Sequence, residues 1–92
     1  MIKINGNDIM RSGKKIGWID GNDIRDYEGQ KVGWFEDNDI YNVGGRKIGY
    51  VENGYLNASD GGTKVPFEKI NREITGGVLT EVQKCAIYML LD

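Results

Sequence analysis

The chain has 92 residues, a length that fits one small domain spanning 1–92, since domains commonly hold about 100 to 150 residues. Its 12 Lys and Arg against 14 Asp and Glu give a net charge of −2, which disfavours nucleic acid as a partner. Histidine is absent, which excludes a histidine base, a histidine metal ligand and every Ser-His or Cys-His nucleophile. We therefore expect a protein that is not an enzyme and that has neither a metal site nor a cofactor.

The first ten residues and the cysteine content bear on the cellular compartment. Residues 1–10 lack a basic segment followed by a long apolar core, so we expect no secretory signal. The single cysteine, Cys85, allows no internal disulfide, as is usual for proteins of reducing compartments. These features predict a cytoplasmic protein that does not associate with a membrane.

A sixteen-residue repeat follows, and its four units are 5–20, 21–36, 37–52 and 53–68. Each unit has an early isoleucine or leucine and a glycine at its middle. Near their ends, the first three units have glycine, an aromatic residue and an apolar residue in succession, as in Gly33-Trp34-Phe35. The fourth has Val65-Pro66 at that place, and because proline cannot donate to a sheet ladder we expect an edge strand there.

Each unit is predicted to be a β-hairpin, because β-branched runs with few helix formers are bounded by turn residues. The central glycine supplies the positive φ that a tight connection needs. Four similar hairpins arranged in a ring would leave few unpaired strand edges, so we predict a mainly β fold around a pseudo-four-fold axis. Three glycines, Gly17, Gly33 and Gly49, predict close approaches to the backbone, and we expect the neighbouring aromatic rings to pack over them.

The C-terminal segment, 69–92, is predicted to be helical. Thr80 and Gln83 match a capping box, and the apolar stripe that follows predicts an α-helix over 81–91. Apolar residues nearly encircle this helix, so we expect it to be buried against the sheet, across the mouth of the ring, or in a homo-oligomer. Helical spacing also predicts two turns over 67–74, between Pro66 and a Gly-Gly pair.

The repeated motif resembles a known family. Asn-Asp-Ile, a central Gly-x-Lys, and Ile-Gly-Trp-Ile or Val-Gly-Trp-Phe are similar to the motif of small bacterial repeat proteins described as four-fold beta-flowers. The resemblance covers residues 5–68 and implies the fold. It implies no catalytic role for any residue.

Three sets of repeated side chains are candidates for binding. Trp18, Trp34 and Tyr50 are equivalent and would make a ring of aromatic platforms for glycans or proline-rich peptides, although recurrence at a structural position favours packing. The repeated basic positions, which would make an anion site or a solvated face guarding the sheet, are Lys14, Lys15, Lys31, Arg46, Lys47 and Lys64. The acidic turns, which offer oxygen ligands to calcium but lack the EF-hand spacing and are more typical of ordinary turns, contain Asp20, Asn22, Asp23, Asp26, Asp37, Asn38 and Asp39.

The sequence thus favours a non-enzymatic repeat module that has a structural role or binds an unknown protein partner. Near-identical units offer copies of one residue set, whereas catalysis needs dissimilar groups in one place. The alternative is a module that binds a glycan, peptide or small anion through the repeated aromatic or basic positions, converging near the axis. Near-complete apolar coverage of the last helix also predicts a homo-oligomer.

Overall fold

The computed structural model describes residues 1–91, which form one ten-stranded sheet and two helices. The strands are β1 (Ile2–Asn5), β2 (Asp8–Arg11), β3 (Lys14–Asp20), β4 (Asp23–Asp26), β5 (Lys31–Glu36), β6 (Asp39–Asn42), β7 (Lys47–Glu52), β8 (Tyr55–Ala58), β9 (Lys64–Pro66) and β10 (Ile74–Thr75). The helices are α1 (Phe67–Glu73) and α2 (Glu81–Leu90). The predicted fold class, mainly β with hairpin repeats and a C-terminal helix, is confirmed.

The sheet is an antiparallel meander in which β1 to β9 pair in chain order. The hairpins β2–β3, β4–β5, β6–β7 and β8–β9 correspond to the four repeats, as predicted. Glycine at the central turn has the expected left-handed backbone, with φ of 87° at Gly29. At the turns between units Asp37 and Asn53, each with φ of 53°, accept the same conformation, which Asp and Asn tolerate better than other residues.

A β-bulge recurs in each of the first three hairpins. Ile9 pairs with Gly17 but Met10 pairs with Lys15, so that Ile16 has no partner on β2. Val32 and Ile48 are left unpaired in the same way in the next two hairpins. The extra residue changes the alternation of faces along the strand, so the lysine before the bulge and the aromatic residue after it lie on the same face.

Helix α2 packs on the inner face of the sheet against strands β4 to β7. A Cβ atom placed on Gly49 would lie 2.6 Å from Met89 Sδ, one on Gly33 would lie 2.7 Å from Leu90 Cδ1, and one on Gly17 would lie 3.0 Å from Leu91 Cδ1. Consecutive helix residues thus contact the glycines of consecutive repeats. Because successive side chains of a helix are about 100° apart, this order places the helix close to the axis around which the hairpins turn.

The prediction that aromatic rings pack over these three glycines is therefore wrong. The C-terminal end of α2 occupies that space, and the aromatic residues point to the other face of the sheet. The outermost atoms of Trp18 and Trp34 instead approach the turn glycines Gly29 and Gly45, where a Cβ would lie 3.3 Å and 3.7 Å away. The glycines do mark close approaches, as predicted, but the side chains that approach them belong to the end of α2 and not to the aromatic residues.

The core lies between the sheet and the two helices. The early residue of each repeat unit is buried, and this set is Ile9, Ile24, Ile40 and Leu56. Cys85, Ala86 and Ile87 of α2 are fully buried among them. Burial of an aliphatic side chain of this size contributes about 1.5–3 kcal/mol, so these layers supply most of the stability of the array.

The ring is not closed by hydrogen bonds between strands in the described part of the chain. Strands β9 and β10 are the two edges of the sheet, and α1, which was predicted, contacts both. Strand β10 pairs in parallel with β1 through Ile2 and Ile74, and neither of these strands was predicted. Short helix α1 therefore fills the place where the first and last hairpins would meet.

The capping box of α2 is present as predicted, with Thr80 Oγ1 accepting from the Gln83 amide and Gln83 Oε1 accepting from the Thr80 amide. The helix ends one residue earlier than predicted, with Leu91 as its C-cap. Its apolar residues pack within the same chain, against the sheet and α1. Of the three expected coverings, burial against the sheet is the one observed, and the homo-oligomer stays a prediction.

Candidate functional site

The outer face of the sheet, which points away from α2, carries three copies of one side-chain arrangement. In each copy a lysine ammonium lies over an aromatic ring and pairs with the aspartate that begins the hairpin. We call these the three triads, and they are Asp8–Lys15–Trp18, Asp23–Lys31–Trp34 and Asp39–Lys47–Tyr50.

The geometry of the triads is nearly constant. The distances from the ammonium to the ring centroid are 4.6, 4.4 and 5.0 Å in chain order. The distances from the ammonium to the carboxylate are 3.1, 3.2 and 3.0 Å. The hydrogen bond to Asp39 raises the pKa of the Lys47 ammonium above its ordinary value. The ion pairs are partly exposed to water, which weakens both the charge pairing and the cation–π contact, so the triads add less stability than the buried core does.

The bulge explains how the triad forms. Lys31 and Trp34 are three residues apart and would face opposite sides of a regular strand, but the unpaired Val32 between them brings both to the outer face. The lysine chain then lies along the ring and covers it, so that Trp18 and Trp34 are half-buried. The adjacent apolar residues Trp34 and Phe35 are therefore both covered, Phe35 by the core and Trp34 by the Lys31 chain.

Two further contacts extend the outer face near its middle. Trp34 stacks on Tyr41 of the next strand with ring centroids 5.1 Å apart and planes 12° apart. The Arg25 guanidinium, beside Trp18, donates to Asp20 Oδ2 and to the Gly29 carbonyl, each at 2.9 Å. Aromatic rings therefore alternate here with charged side chains, and the Arg25 guanidinium and the triad lysines are paired with carboxylates.

The predicted aromatic site residues Trp18, Trp34 and Tyr50 are thus equivalent, as expected, but they do not converge near the axis. They lie on three successive hairpins of the outer face. An ammonium already occupies a face of each ring. Sequence reasoning named Asp23 and Asp39 only as turn residues and missed the pairing of aspartate with lysine, although Asp, Lys and the aromatic residue recur at matching places in the first three units.

The basic and acidic positions largely neutralise each other. Lys15, Lys31 and Lys47 are paired within the triads, so the repeated lysines do not form a free anion-binding ring. Among the acidic turns, Asp26 Oδ1 accepts the amides of Glu28 and Gln30, which is an ordinary turn role. Across residues 1–91, no group of three or more His, Cys, Asp or Glu side chains is placed to hold a metal ion.

A cleft and a buried cysteine lie apart from the triads. A cleft of about 550 Å³ opens between the third and fourth hairpins, where Arg46 and Ser59 lie at its wall and Met89 at its floor. Cys85 is buried on α2, and the loss of hydration raises the pKa of its thiol to about 12, with a smaller contribution from Glu81. A thiol of this kind is protonated at neutral pH and is a poor nucleophile.

A comparison with protein families agrees with this geometry. The family model described as 4-fold beta flower protein matches residues 10–75, from the first hairpin to β10. The chain belongs to the 4-fold beta flower family. The match confirms the resemblance inferred from the repeated motif. Searches of curated proteins and of solved structures gave no match for this beta flower chain. Neither helix in residues 1–91 is long and apolar enough to cross a membrane.

Proposed function

We propose that this chain is a non-catalytic β-repeat module that binds a protein partner through the outer face of its sheet. The observation that carries the proposal is the composition of that face, which holds both tryptophans of the chain, Arg25 and three of the five tyrosines. Trp, Tyr and Arg are the residues most enriched in the energetic centres of protein interfaces.

A second feature of this face supports recognition of one particular partner. In each hairpin, the lysine pairs across the strands with one residue that differs from unit to unit. We call this set the variable row, and it consists of Met10, Arg25, Tyr41 and Asn57. Unlike side chains on a repeated framework give each part of the face its own chemistry, which is how repeat modules distinguish partners.

The alternative, binding of a glycan, peptide or small anion at the repeated positions, has less support. Lysine ammoniums cover the rings that would stack on a ligand, and aspartates pair with the ammoniums that would attract an anion. Copies of one self-paired triad also offer no dissimilar groups for catalysis. The proposed compartment is the cytoplasm, which the single free and buried cysteine supports.

Photo-crosslinking in the native cells tests the proposal. A photoreactive phenylalanine derivative is introduced at Tyr41, at Asn57, or at Asn71, an exposed residue of α1 on a different surface. We expect one protein to be captured from both outer-face positions and not from Asn71. Capture that is equal at all three positions, or that occurs at Asn71 alone, would contradict an interaction surface on the outer face.

A further inference from the structure

The fourth hairpin keeps the lysine of the triads but loses their carboxylate. Tyr55 pairs with Pro66 in the register in which Asp8 pairs with Trp18, so a tyrosine stands at the aspartate position and a proline at the aromatic position. Lys64 still lies over an aromatic ring, at 4.4 Å from the centroid of Tyr55. In this hairpin the aromatic residue is on the first strand, at the position that aspartate has in the other three hairpins.

Lys64 is therefore the member of this lysine set whose ammonium has no carboxylate in residues 1–91. In the other three hairpins the carboxylate lies 3.0–3.2 Å from the ammonium, so a lysine at this position over an aromatic ring can bind a carboxylate at that distance. Lys64 is exposed, and Tyr55 is 37% exposed. The cation and the phenol beside it are accessible to another molecule.

The position of Lys64 in the sheet also leaves room for a partner. Strand β9 is an edge of the sheet, so no further strand pairs with its far side. Lys64 and Asn57 form a pair that exchanges no ladder hydrogen bonds, because the amide of Ala58 bonds to the carbonyl of Thr63 and the bonded pairs alternate from there. The main-chain amide and carbonyl of Lys64 therefore point outward as well.

We propose that the fourth hairpin binds a carboxylate from an acidic side chain of the protein partner, with Lys64 as its contact, in the place that aspartate holds in the other hairpins. The inference rests on the proposed function, since it names the charge of the partner at one end of the outer face. Charge complementarity carries it, because this ammonium is left over where three equivalent ones are neutralised within the chain. A single exposed ion pair changes affinity by about 1.5- to 5-fold, so Lys64 selects the partner's chemistry more than it sets the overall strength.

A carboxylate placed within the chain beside Lys64 should compete with a carboxylate of the partner. Tyr55→Asp restores the residue found in the other units and is expected to pair with Lys64 within the protein. A capped triglutamate peptide serves as the probe, with a triglutamine peptide as control, and NMR follows the side-chain signals of the four lysines at constant ionic strength. We expect the glutamate peptide to shift Lys64 more than Lys15, Lys31 and Lys47, and Tyr55→Asp to weaken the effect 1.5- to 5-fold.

A matched variant and a second substitution make the result decisive. Lys31→Gln removes a paired lysine and should leave peptide binding at the fourth hairpin unchanged. Lys64→Gln replaces Tyr55→Asp if that variant does not fold, and should abolish the glutamate-specific shift of the Tyr55 ring. Equal shifts at all four lysines, or an unchanged response in Tyr55→Asp, would overturn the inference. If a partner captured at Tyr41 binds Tyr55→Asp as tightly as the unchanged protein, the inference about Lys64 is overturned while the proposed function stands.

Discussion

Replacing Gly33 by alanine tests the contact between α2 and the repeats. The atom nearest to the new Cβ would be the main-chain carbonyl oxygen of Tyr41, which the sheet holds in place, and Leu90 Cδ1 of α2 would lie 2.7 Å away. Overpacking of this kind costs about 1–3 kcal/mol, against a total stability of about 5–14 kcal/mol for a chain of this length. Each kcal/mol lowers Tm by about 4–8 °C in a domain of this size. We expect Gly33→Ala to lower Tm by about 4–24 °C.

The cost should differ among equivalent glycines in an order fixed by what they face. At Gly49 the nearest atom is Met89 Sδ at 2.6 Å, which a flexible side chain can move aside, and the main-chain oxygen of Asn57 is farther away at 3.1 Å, so Gly49→Ala should cost less than Gly33→Ala. Gly44→Ala is the control, because its Cβ would meet only Asn42 Oδ1 at 3.5 Å, an ordinary contact in an exposed turn. Urea denaturation followed by tryptophan fluorescence measures all three. Equal losses in Gly33→Ala and Gly44→Ala would refute the close packing of helix and sheet.

Three further predictions concern the cap, the thiol and the aromatic layer. Thr80→Ala removes the capping box and should lower the free energy of unfolding by about 0.5–2 kcal/mol, whereas Thr63→Ala, in an exposed turn, should change it by less than about 0.5 kcal/mol in the same urea assay. Burial raises the pKa of Cys85 from 9.0 to about 12 in the folded protein, so the unfolded thiol loses its proton first and the free energy of unfolding should fall as pH rises from about 9 to about 12. Cys85→Ala should show a shallower fall over the same pH range. Equal slopes of unfolding free energy against pH in the two proteins would disprove the effect. Trp34→Ala removes a ring stacked on Tyr41 and should lower stability without unfolding the protein, as circular dichroism would show; complete unfolding would mean that the outer face is part of the core.

The repeat made most of the fold predictable from the sequence. The recurring order of glycine, lysine and apolar residues predicts four hairpins, and the capping box at Thr80 predicts α2 to within one residue. These signals are local, since turn residues and helix caps act within a few positions of the chain. The pairing of β1 with β10 joins Ile2 to Ile74, and nothing local in the sequence indicates a contact over that distance.

The candidate site was harder to predict because it depends on the bulge. With simple alternation, Trp34 and Gly33 point to opposite faces, but the sequence does not show which face holds the helix or that Lys31 joins Trp34. The unpaired Val32 decides the second point, and an extra residue in one strand is visible only in the register. For this reason the aromatic residues were recognised as a set while their neighbours were not.

NOE contacts between the C-terminal end of α2 and the repeat glycines test the central claim most directly. The account predicts cross-peaks that join Met89 to Gly49, Leu90 to Gly33 and Leu91 to Gly17, one helix residue for each successive hairpin. Cross-peaks in another order, or none between these side chains and the glycine Hα protons, would contradict the arrangement of the hairpins around α2.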